Sequence, residues 1–219
     1  MLDLASLASI KSFAEQFNMD FWKLDLLINN AGILAPQYGE TKGGFESHFG
    51  TNHLRHFALT AHLFTLLKRT TGSRIVNVSS NGHKMSKFDL NDLGWKERKY
   101  NVWTAYGDSK LANLYFTYEL DRKVKAANQK VMVIAAQPGL AVSNLAKDGY
   151  LRHFHALNKL FAQKTSLGAM PIQNQPLTAV TILDHPVSWN GEVTQGKHLP
   201  MRCPLMQVLP DSSGSYRRK

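Results

Sequence analysis

The sequence predicts an α/β fold, a parallel sheet covered by helices, and three observations predict it. Apolar runs of strand length stand at 24–30 ("LDLLINN"), 73–80 ("SRIVNVSS") and 130–139 ("KVMVIAAQPG"). Long stretches with helical spacing lie between them, at about 45–69 and 103–127. Such alternation is what parallel strands joined by helical crossovers require. Finally, each run ends in small or polar residues, "NNAG", "SS" and "QPG". These ends should line one crevice, because ligands gather at the carboxyl ends of parallel strands.

Each element has a local reason. Leu7, Ile10, Phe13, Ala14 and Phe17 recur at helical spacing, so 7–17 reads as an amphipathic helix with Ser6 as its cap. "LDLLINN" reads as a strand buried on both faces. "FESHFGTNHLRHFALTAHLFTLLKR" reads as one helix, Phe45 to Arg69. "SRIVNVSS" is rich in β-branched residues, as a buried strand should be. A loop-rich segment at 81–102 carries "DLNDLGWKERKYN", and a helix follows at 103–127. The third strand is broken by Pro138–Gly139. "LRHFHALNKLF" at 151–161 reads as helical, and beyond Gln173 no period is clear. The organisation expected is a partial domain over 1–171 and a divergent, weakly ordered segment over 172–219.

Composition excludes several classes. Of 219 residues 43% are hydrophobic and 19% charged, which suits a packed core. Cys203 is the one cysteine, so no internal disulfide forms, and a cytoplasmic location is expected. The net charge of +10 is scattered, with a tight cluster only in "SYRRK", and no nucleic-acid motif is present. No apolar run reaches the roughly 20 residues of a membrane span. The opening "MLDLASLASIKSFAEQF" has no basic n-region and does not read as a signal peptide. His53 and His56 stand at i and i+3, but no further ligands complete a set, and no metal site is expected.

The chemistry centres on "YGDSK". Tyr106 and Lys110, at i and i+4, share one helix face. A free phenol titrates near 10, too high for proton exchange at neutral pH, and a nearby ammonium lowers it. A tyrosine so tuned gives a proton to a carbonyl oxygen or takes one from an alcohol. A hydroxyl from Ser80 could orient that oxygen.

"LDLLINNAG", "NHLRHF", "RIVNVSS", "YGDSK" and "QPG", in this order, resemble the short-chain dehydrogenase/reductase family. The resemblance runs from about residue 2 to 145. The segment between Ser80 and Tyr106, with "DLNDLGW" inside it, looks like the retinol-dehydrogenase-like and protochlorophyllide-reductase-like branch. The resemblance implies a Rossmann-like doubly wound sheet and hydride transfer between NADP or NAD and a small-molecule carbonyl or alcohol, with an apolar substrate. It implies catalytic roles for Asn52, Ser80, Tyr106 and Lys110. Tyr106 would be the acid/base, Lys110 would lower its pKa and hold the nicotinamide ribose, and Asn52 would hold a water linking Lys110 to solvent. Cofactor contacts would come from Asp3, Asn30, Ala31, Gly32, Tyr106, Lys110, Pro138, Gly139 and Ala141. The long helices at 45–69 and 103–127 would form homodimer faces.

The chain departs from the pattern in places. No glycine-rich turn precedes "NNAG", so the first two strands, the phosphate loop and the NAD-or-NADP selecting residue are expected to be absent. "LDLLINN" should then be an exposed edge. Arg55 stands where the family has glycine, and the likeness fades beyond about Pro171. The competing expectation is a catalytically inactive fragment, or a binding relic without the cofactor phosphate site.

Overall fold

A computed structural model describes residues 2–4, 6–34 and 37–137. Helix α1 (Leu7–Asp20) leads to β1 (Leu26–Asn29). A π-helical segment (Phe49–Leu54) continues directly into α2 (Arg55–Arg69) and then β2 (Arg74–Val78). A 3-10 turn (Asn81–Met85) opens the loop that leads to α3 (Val102–Ala126) and β3 (Met132–Ala136). The three strands form a parallel sheet in the order β1-β2-β3. Leu27 lies beside Ile75, which lies beside Val133.

The helix ends follow from the sequence. Ser6 caps α1, its hydroxyl accepting from the Ser9 N–H at 3.3 Å. Asn101 caps α3 by accepting from the Trp103 and Thr104 N–H groups. Ile10 and Ala14 of α1 are buried, and α1 packs on α2. Leu59, Leu63, Leu66 and Leu67 of α2 join Ile75 and Val76 of β2 in the core.

A line of buried polar side chains ties the sheet to its helices. Asn29 Nδ2 donates to Thr60 Oγ1 on α2 (2.9 Å) and to Asn77 Oδ1 on β2 (2.8 Å). Asn77 Nδ2 donates onward to Thr117 Oγ1 on α3 (3.0 Å). Buried amides need such partners, and pairing them fixes which helix sits over which strand.

Three expectations are corrected. The first strand is not buried on both faces: Leu27 and Asn29 are buried, while Leu26 is 44% and Ile28 38% exposed. Among the described residues β1 pairs only with β2, so it is the open edge its sequence foretold. The helix expected from Phe45 is capped later, by Glu46, and passes through a π segment before becoming α-helical. Asp3 does not end a strand, as none precedes α1 among the described residues. It is exposed, and its N–H donates to Ser9 Oγ (2.9 Å). The helix expected at 151–161 and the boundary between 171 and 172 lie outside the described residues.

Candidate active site

The site forms where β1 and β2 end and α3 begins. Tyr106 stands on the second turn of α3 and is partly buried. Its ring and the Ser80 hydroxyl both flank Gly82: a Cβ on that glycine would lie 2.8 Å from Tyr106 Cε1 and 3.4 Å from Ser80 Oγ. Ser80 ends the chain run after β2, and its Oγ accepts from the Gly82 N–H (3.1 Å), which opens the 3-10 turn. Ser79 faces away from the phenol, its hydroxyl donating to the Lys110 carbonyl (2.9 Å). Of the two serines, the structure brings Ser80 to Tyr106.

Lys110 is buried one turn along. Its Nζ donates to the Val78 carbonyl (3.2 Å) and lies 5.6 Å from the Tyr106 ring centroid. Burial pulls its pKa down to about 8. Burial also pushes the Tyr106 phenol up, and the Ser80 side chain only partly opposes this. Lys110 Nζ is engaged on a backbone oxygen beside the ring.

Asn52, on the π segment, is fully engaged. Its Oδ1 accepts from the Ile33 N–H (2.8 Å), and its Nδ2 donates to the Ile33 carbonyl and to Ser109 Oγ (both 3.0 Å). Its own carbonyl accepts from Asn113 Nδ2 and faces His56 Nδ1, each at 3.0 Å. Asn52 thus pins the turn after β1 to α3. Gly32 in that turn has no room to spare: a Cβ would meet Asn52 Oδ1 at 3.1 Å and Lys110 Nζ at 3.8 Å. Asn30 and Ala31 are exposed at the carboxyl end of β1. Asp3 is on the α1 approach, while Pro138, Gly139 and Ala141 lie outside the described residues.

Sequence reasoning missed a second layer. Asp108, inside "YGDSK", turns away from the phenol and clamps the loop before α3. It accepts from Ser86 Oγ (2.5 Å), the Lys87 N–H (3.0 Å) and Arg98 (3.0 Å). Arg98 also reaches Asp92 (3.4 Å) and stacks on Trp95. Asp92 in turn accepts the N–H groups of Lys96, Glu97 and Arg98. The "DLNDLGW" segment is thus folded onto the catalytic helix. The missed signal was an acidic residue three to six positions before unpaired backbone donors. Glu46 was missed too. It accepts from the Phe49 N–H three residues on (2.7 Å), as a cap does, and "FESHF" carries that spacing.

The candidate histidines have separate partners. His53 Nδ1 faces Asn113 Oδ1 (3.1 Å) and His56 Nδ1 faces the Asn52 carbonyl. Burial lowers both to about 4, so both are neutral at pH 7. Arg55, in the glycine position, is accommodated: it is 8% exposed and donates to Thr51 Oγ1 (3.0 Å). Among the described residues no helix is long and apolar enough to cross a membrane.

A Tyr, a Lys and a Ser gather at the carboxyl ends of parallel strands on a Rossmann-like sheet. The short chain dehydrogenase family profile matches residues 1–150, and the chain belongs to that family. It is 43% identical over 150 residues to retinol dehydrogenase 12 of Mus musculus, covering 68% of this chain and 46% of that protein. It is 45% identical over 146 residues to retinol dehydrogenase 13 of Homo sapiens, covering 67% and 44%. The chain thus spans about half the length of the curated relatives it matches. Among solved structures, an uncharacterised protein from Mycobacterium paratuberculosis aligns with a TM-score of 0.59 at 42% identity, covering 80% of this chain and 58% of that one. A Shigella flexneri short chain dehydrogenase complexed with NADP aligns at 0.55, covering 78% and 65%, and at 20% identity it bears on the fold alone.

Proposed function

We propose that this chain carries the catalytic half of an NADP- or NAD-dependent oxidoreductase acting on an apolar alcohol, aldehyde or ketone. The observation that carries the reading is Tyr106 placed beside Ser80 and buried Lys110, at the carboxyl ends of the sheet. The names of the relatives, retinol dehydrogenases, support an apolar substrate class.

The described residues fit the nicotinamide-riboside part of such a cofactor. Gly32 leaves a cradle that a Cβ would fill, and Lys110 offers a buried ammonium next to it. Asn30, Ala31, Tyr106 and Lys110 would hold that part, with Asp3 on the adenine side and Pro138, Gly139 and Ala141 beyond the nicotinamide. When bound, the cofactor supplies the hydride. In the reducing direction Tyr106 Oη releases its proton to the substrate oxygen, and Ser80 Oγ donates a hydrogen bond to the same atom. Lys110 stabilises the phenolate that remains. A phenol raised by burial is fully protonated at neutral pH, which suits the acid. Use as a base requires positive charge to arrive beside it. A cytoplasmic location and a homodimer through 45–69 and 103–127 belong to the same proposal.

The test is a titration of the 219-residue chain with NADPH and NADH, following nicotinamide fluorescence. Saturable binding is expected, with turnover of a hydrophobic aldehyde abolished in Tyr106→Phe. A folded sample that binds neither nucleotide overturns the reading and leaves the inactive relic.

A further inference from the structure

Beside Tyr106 lies a buried carboxylate–imidazole pair that the proposed chemistry does not use. Glu46 is 1% exposed and His48 is fully buried. Glu46 Oε1 faces His48 Nδ1 at 2.8 Å and accepts from the His48 N–H (2.9 Å) and Tyr100 Oη (2.9 Å). Its Oε2 accepts from the Phe49 N–H. Burial pushes the Glu46 carboxyl up, but the bonds from His48 and Phe49 outweigh it and hold it below the usual range. An ionised carboxylate only accepts, so His48 Nδ1 carries the proton and the ring plane is set. That ring meets Tyr106 edge-on, with centroids 6.0 Å apart and planes at 79°.

Capping the helix needs the carboxylate and two backbone donors, and it does not need the imidazole. Burying a polar ring is costly unless it is bonded, and this ring is bonded to the cap itself. The pair also ties two elements together. Tyr100 directly precedes the cap of α3, and Glu46 precedes the π segment. We infer that the Glu46–His48 pair fixes the orientation of the Tyr106 ring, with His48 as a positioning residue for the phenol. His48 and Gly82 both abut the ring, which keeps the phenol on the Ser80 side. This inference rests on Tyr106 being the acid/base group, but its test reads the ring and not the reaction.

The experiment uses the full chain labelled with 13C-tyrosine, with the Tyr106 signal assigned by Tyr106→Phe, at neutral pH and without nucleotide. In the parent, Ser80→Ala should move the Tyr106 Cζ resonance, and the ring should flip slowly. In His48→Ala the ring should flip at least about tenfold faster, and Ser80→Ala should no longer move Cζ, because the coupling is gone. His48→Gln, which keeps a polar group at the site, should do the same and decides the matter where His48→Ala does not fold. An unchanged flip rate and an unchanged response to Ser80→Ala in a folded His48 variant overturn the inference. Failure to bind nucleotide would count against the proposed function while leaving this result readable.

Discussion

The sheet has two unlike ends. Around β2 and α3 the interior is dense with paired polar groups: Asn77 with Thr117, Asn113 with the Asn52 carbonyl, Asp108 with three donors. Among the described residues no strand pairs with the outer edge of β1, and Leu26 and Ile28 are exposed together with Phe21 and Trp22 of the preceding turn. The end that would carry chemistry is held by specific bonds within the chain. The other end presents apolar surface and unpaired strand groups, which favour association with other chains. A site can therefore be well organised within a fragment of sheet whose edge is not.

Acid should strike the polar end hardest. His53 and His56 titrate near 4 in the folded chain and near 6.5 when unfolded, because burial penalises their charged forms. Between these values the unfolded chain binds more protons, so stability rises with pH across the window and is lost on acidification from 6.5 towards 4. Each histidine should contribute a loss of up to about 3 kcal/mol. Urea midpoints measured from pH 7.5 to 4.5 check this, and His53→Asn should flatten the slope. Second, in any preparation that turns over, Tyr106→Phe should lower kcat by about 10³ with nucleotide affinity little changed. Third, Asp108→Ala leaves Arg98 with Asp92 but removes the acceptor of Ser86 and Lys87, and should destabilise the chain by about 2 kcal/mol while freeing the 86–98 loop to proteolysis. Smallest in stability terms, Ile28→Lys should cost less than about 0.5 kcal/mol. It should nonetheless reduce concentration-dependent scattering, because a charged side chain at an open edge discourages strand addition. If Ile28→Lys unfolds the chain instead, the two ends are not as different as drawn here.

Much of this was legible in the sequence. Strands with short apolar runs, the Ser6 cap and the Tyr106–Lys110 face followed from period and spacing alone. Which side chains of β1 are exposed did not follow, because an apolar run does not say which face has cover. Sequence places a cation near a phenol, but only the fold shows how deeply both are buried. Asp92 went unread because its partners are chiefly backbone N–H groups, which leave no mark in the residue letters, and Asp108 because its partners lie far along the chain.

The π segment has a consequence for how this chain can vary. It fits one residue more into a turn than an α-helix does, so Asn52 and Glu46 reach their partners only with that extra residue in place. Removing a single residue from Phe49–Leu54 would let the segment close to α geometry and re-aim the side chains within it, Asn52 among them. The turn after β1 would lose its pin on Asn52. Substitutions along this stretch can be graded, but its length is all or nothing.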